Sequence, residues 1–62
     1  MHYYVTWQPE GEPVHLTRIA ARGRVLTVDQ VMEEALAIEG FEPPVRYEIH
    51  SLILAPHADV IV

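Results

Sequence analysis

The residues able to do chemistry fall into three groups: acids, arginines and histidines. Five acids (Asp29, Glu33, Glu34, Glu39 and Glu42) lie between residues 29 and 42 with no base among them. On a helix they form a negative strip suited to a basic protein surface, where complementary charge raises encounter rate and specificity. The plainer alternative is a solvated polar face. Asp29 is favourable near a positive helix start, but Asp29 and Glu33 repel at a separation of four. Stability alone would have placed arginine among these acids.

All four bases are arginine, and there is no lysine. Arg18, Arg22 and Arg24 occupy seven residues around Gly23. A planar guanidinium fork suits phosphate or carboxylate, so this edge is a candidate phosphate-binding site. The competing use is pairing with the chain's own glutamates. Nucleic-acid binding normally brings more positive charge, with aromatic residues placed among it. Here Trp7 and the tyrosines sit in other segments and the charge is negative, so a nucleic-acid partner is not expected.

The four histidines, His2, His15, His50 and His57, lie in different segments, without the close helical spacing of a zinc-protease motif. If the first and third strands are neighbours, His2 and His50 face each other on the exposed side with Glu48 nearby. That pair is the one metal candidate, set against scattered surface histidines. No cofactor is expected. Catalysis has little foothold: there is one serine, Ser51, no cysteine and no glycine-rich phosphate loop. Carboxylates on an exposed helix lack the burial that raises a pKa. The chain is therefore read as non-enzymatic.

Four elements must position these groups. Met1 to Trp7 alternates, with Tyr3, Val5 and Trp7 on one face, and predicts a strand. Gln8 to Pro13 collects two prolines and a glycine, marking a loop. Val14 to about Ala20 predicts a second strand, continuing raggedly to Leu26. Val14 and Leu16 share one face while Ile19 falls on the other, so a bulge is expected near Arg18. Thr27 with Gln30 has the form of a capping box, and Leu26 with Val31 forms the accompanying staple. Val31, Met32, Ala35, Leu36 and Ile38 follow at stripe spacing, and Gly40 ends the helix with Phe41 folding back. A helix over about Val28 to Glu39 follows.

Val45 to Leu54 predicts a third strand, with Val45, Tyr47, Ile49 and Ile53 on one face. Arg46, Glu48 and His50 begin the other face, which Leu52 and Leu54 make apolar. These leucines call for cover beyond the helix, and the apolar tail Val60-Ile61-Val62 either returns to the sheet or meets another molecule, such as a second copy in a homodimer. The order strand, strand, helix, strand implies an α+β domain, residues 1–62, with one helix packed on an antiparallel or mixed sheet.

Composition sets the limits. Sixty-two residues allow one domain. Without cysteine there is no disulfide framework or thiolate zinc site, so the core must be efficient or completed by another molecule. Half the residues are apolar, which argues against disorder. The net charge of −5 disfavours phosphate backbones and favours a basic partner. The longest apolar run, Leu52 to Pro56, is too short to span a bilayer, and no targeting segment is visible. A cytoplasmic location is expected.

In this order of elements the chain resembles the small phage-encoded inhibitors of bacterial RNA polymerase. The matching residues are Thr27-Val28-Asp29-Gln30, Glu33-Glu34-Ala35-Leu36 and Gly40-Phe41-Glu42, with Tyr3-Tyr4-Val5-Thr6 similar in kind. The resemblance implies that an acidic strip and third-strand arginine dock on the polymerase and block promoter engagement. By position it implicates Asp29, Glu33, Glu34 and Arg46. The third strand departs from the pattern, because Arg46 is followed by Tyr47 and Glu48 where a second arginine would stand. The chain is also similar in kind to other phage inhibitors, including anti-CRISPR proteins, and to HicB-like antitoxin domains, which share strands before a capped helix. The leading expectation is a small acidic inhibitor or regulator on a basic surface of a nucleic-acid-handling machine. The alternatives are a regulatory phosphate-binding module using Arg18, Arg22 and Arg24, and a structural subunit of an assembly.

Overall fold

The computed structural model describes residues 1–55. It contains β1 (His2–Pro9), β2 (His15–Ala20), α1 (Val28–Glu39) and β3 (Tyr47–Ala55). The three strands form one antiparallel sheet in the order β2-β1-β3. With the helix on one face, this is the expected small α+β domain. The final apolar residues, Val60 to Val62, lie outside the described residues.

β1 is central, and its inward side chains Tyr3, Val5, Trp7 and Pro9 are all buried. They meet Ile19, Ala21 and Leu26, together with Val31, Met32, Ala35 and Leu36 of the helix. Burial of such apolar side chains is the main favourable term in folding. Three aromatic rings close the core at the hairpin end. Phe41 and Tyr47 meet the Trp7 ring edge-on at 5.5 and 6.1 Å, a geometry suited to aromatic quadrupoles.

The helix follows its local signals. Thr27 Oγ1 accepts from the Gln30 amide at 3.2 Å, and Gln30 Oε1 accepts from the Thr27 amide at 2.9 Å. Gly40 takes φ 82°, and the Phe41 amide donates to the Leu36 carbonyl at 2.8 Å, closing the last turn. The apolar stripe is narrower than expected. Ile38 points to solvent, so four residues (Val31, Met32, Ala35 and Leu36) carry the packing.

Two strand expectations are corrected. β2 has no bulge near Arg18, because its register with β1 is unbroken from His15 to Ala20. Its inward face is Thr17, Ile19 and Ala21, while Leu16 is 69% exposed. The apolar Val14 and Leu16 suggest the opposite phase, but the structure buries a threonine instead. Nor does β2 continue to Leu26. Arg22 and Gly23 both take positive φ, and the Arg24 amide returns to the Ala21 carbonyl at 3.0 Å, so the chain turns there.

The bulge is on β3. Thr6 pairs with Ser51 and Trp7 with Ile49, leaving His50 as the extra residue. That insertion switches the faces. Tyr47, Ile49, Leu52 and Leu54 stand opposite the inward residues of β1, and Ile53 stands opposite the outward Tyr4. Ile53 therefore does not share a face with Ile49. The expectation that Leu52 and Leu54 lie on the second face is overturned for the same reason. α1 lies over β2 and β1, and Ile49 and Leu52 of β3 pack against the margin of the core. Leu54 remains 46% exposed on its inner face, and β3 is an open edge among the described residues.

Candidate functional site

The exposed side of α1 carries the candidate surface. Because Val31, Met32, Ala35 and Leu36 must face the sheet, Asp29 and Glu33 are left one helical turn apart in solvent. Neither has an ion-pair partner among the described residues. The last turn of the helix contains no base.

The other acids of the helix are engaged internally. Glu34 accepts from Arg24 Nη2 at 3.1 Å, and Arg24 Nε also donates to the Ala21 carbonyl at 3.2 Å. Glu39 accepts from the Thr17 hydroxyl at 3.2 Å and lies 3.2 Å from His15 Nδ1. Thr17 in turn accepts the indole N–H of Trp7. His15 packs on Trp7 and Phe41 at 5.3 and 5.7 Å between ring centres. Glu39 thus ties the helix end to the core.

Arg46 does not join the acidic strip. Its carbonyl accepts from the Glu10 amide at 2.9 Å, which places it at the end of the sheet beside the β1–β2 hairpin. Asp29 is in the first helical turn, at the opposite end, where the Leu26 amide donates to the Tyr3 hydroxyl at 3.0 Å. A 12-residue helix is ~18 Å long, which separates the two ends. Around Arg46 is an open hollow of about 270 Å3, lined also by Gln8, Glu10, Tyr47 and Glu48.

The three arginines near Gly23 are divided. Arg24 is held by Glu34, as self-pairing predicts. Arg18 stands opposite Tyr4 on the outer face of the sheet, and Arg22 projects from the turn after β2. With Arg24 paired to Glu34, Arg18 and Arg22 are the two left for an anion.

The expected pairing of His2 with His50 is corrected by the antiparallel register. His2 is opposite Ala55, at the far end of β1 from His50. His50 lies beside Gln8 at 3.1 Å and Glu48 at 3.8 Å. No group of three metal-ligating side chains forms among the described residues. His2 Nδ1 is buried without a hydrogen-bond partner there. Its pKa falls below the usual 6.5 because burial disfavours the charged ring, aided by the Met1 ammonium and Arg18.

On the sheet's outer face the alternation of β1 already sets Tyr4 and Thr6 opposite the core, but their neighbours on β2 and β3 are not legible in the sequence. Tyr4 lies between Arg18 and Ile53, and Thr6 between Leu16 and Ser51. Its signal was the even numbering of Leu16 and Arg18, which is legible only once Thr17 is placed inside. No protein-family model, curated protein or solved structure matches this chain.

Proposed function

We propose that this chain is a non-enzymatic interaction module that docks the outer face of α1 on a basic surface of a nucleic-acid-handling protein. The observation that carries the reading is the pair Asp29 and Glu33, exposed and without a cationic partner among the described residues, when the neighbouring acids Glu34 and Glu39 each have a partner. Two like charges at this spacing cost stability, and a cationic partner surface offsets that cost. Glu34 and Arg24 form the border of the contact. Arg46 makes a separate contact or none, because it lies at the other end of the domain. The role implied by the resemblance is inhibition, by occupying a surface that otherwise takes phosphates.

Purified bacterial RNA polymerase is the defined probe for this reading. The full chain should bind it, be displaced by duplex DNA at constant ionic strength, and lose affinity as salt rises. The Asp29→Lys/Glu33→Lys variant, with its fold checked by circular dichroism, should not bind. Binding by that variant, unchanged and insensitive to salt, would sink the acidic-face reading. Failure of the native chain to bind would remove the polymerase as the target.

The rival reading, a phosphate-binding module, rests on Arg18 beside Tyr4 on the open sheet face. It has lost Arg24 to Glu34. A fluorescence titration with single-stranded RNA at low salt decides it, and the acidic-face reading expects no binding.

A further inference from the structure

The β3 edge has three properties that combine in one place. First, it is an unpaired edge of the sheet among the described residues, and α1 lies over β2 and β1. Ile53 is 59% exposed on its outer face and Leu54 46% on its inner face. An open apolar edge of this kind is a template for another strand, and proteins usually block one with lysine, proline or a charge. No Asp, Glu, Lys or Arg occurs from Ile49 to Ala58, and the two histidines of that stretch, His50 and His57, flank the segment 51–55. Second, the regular part of the edge is framed. The bulge at His50 interrupts one end, and Pro56, which has no N–H to donate, follows in the sequence.

Third, the framed segment reads the same in both directions. Ser51-Leu52-Ile53-Leu54-Ala55 runs small, leucine, isoleucine, leucine, small. Antiparallel pairing about Ile53 sets Ile53 against its own copy. Leu52 meets Leu54 of the second copy, and Ser51 meets Ala55. Opposed residues then share a face, as the pleat requires. Self-complementarity about a two-fold axis is the defining property of an isologous interface. The segment is also where two copies with net charge −5 can approach without opposing acids.

We infer that this edge binds a second copy of the chain, β3 against β3 about a two-fold axis at Ile53, giving a continuous six-stranded sheet. The inference is independent of the acidic-face reading. It does have a consequence for it, since the dimer carries two acidic helices on one side of the sheet, and paired sites raise avidity when a partner spans both.

The experiment uses the 62-residue chain. Sedimentation equilibrium from low micromolar to millimolar concentration should show a monomer–dimer equilibrium. Ile53→Lys and Ile53→Glu should each be folded, because position 53 is solvent-exposed, and each should be monomeric. Mixed in equal amounts they should form a heterodimer, because position 53 faces itself only if the axis passes through it. Ile53→Cys supplies a single thiol in a cysteine-free chain. It should oxidise to a disulfide dimer faster than Val25→Cys, an 87%-exposed position away from the edge. A native chain that stays monomeric throughout overturns the inference, whether another segment or another protein occupies the edge. A dimer that survives Ile53→Lys, or variants that fail to associate when mixed, overturns it equally.

Discussion

Trp7 donates its indole N–H to the hydroxyl of Thr17 at 2.9 Å, and both residues are buried. The Thr17 hydroxyl in turn donates to the Glu39 carboxylate, so a core tryptophan is linked through β2 to the end of α1. Thr17→Val keeps the shape and removes the acceptor. It should cost about 1–3 kcal/mol, the penalty for a buried donor left unpaired. Thr17→Ser keeps the hydroxyl and should cost less. Urea unfolding monitored by Trp7 fluorescence measures both.

The helix ends should respond separately. Thr27→Ala removes the capping oxygen and should destabilise by about 1 kcal/mol. At Gly40 an added Cβ meets nothing within 4 Å, but φ is 82°. Gly40→Ala should therefore cost about 1 kcal/mol through backbone strain alone. Thermal unfolding of the two variants and of their combination checks additivity, which is expected for sites at opposite ends of the helix.

The Arg24–Glu34 pair should matter little to folding. Its side chains are 55% and 37% exposed, and exposed ion pairs contribute about 0–1 kcal/mol. A double-mutant cycle with Arg24→Gln and Glu34→Gln should return a coupling in that range, shrinking with salt. A larger coupling would make Glu34 a structural residue rather than the border of a docking face.

His2 should titrate below 6.5 when followed by imidazole proton chemical shifts. Arg18→Gln, which removes one of the causes, should raise that pKa. The unfolded chain then binds more protons than the folded one between 6.5 and the lowered value. Stability from this group is complete above pH 6.5 and falls as pH drops through the folded pKa. His2→Gln should remove that part of the pH dependence.

The helix was legible because its signals are local: the cap at Thr27, the staple and the stop at Gly40 act within a few residues. β1 was legible from the alternation of Tyr3, Val5 and Trp7. The phase of β2 was not, because it depends on the Trp7 indole needing an acceptor ten residues away, which puts Thr17 inside and Leu16 outside. The bulge at His50 was hidden by its neighbours. With Leu52, Ile53 and Leu54 all apolar, neither phase leaves a polar residue misplaced. At the candidate site, the acids were visible as a run, but their inequality was not. Only the fold assigns Glu34 to Arg24 and Glu39 to Thr17 and His15, leaving Asp29 and Glu33 without an ion-pair partner among the described residues. Arg46 was grouped with the helix through the resemblance, and the strand order carries it to the other end.

If the outer face of α1 is offered to a cationic partner, an oligo-arginine peptide titrated into the 62-residue chain at low salt should find it. Backbone amide chemical shifts should then move saturably at Asp29, Gln30, Glu33 and Ala37, an effect lost in Asp29→Asn/Glu33→Gln and suppressed by added salt. Shifts confined to Glu10, Glu12 and Glu48 at the hairpin end, with the helix unmoved, would contradict the acidic-face reading.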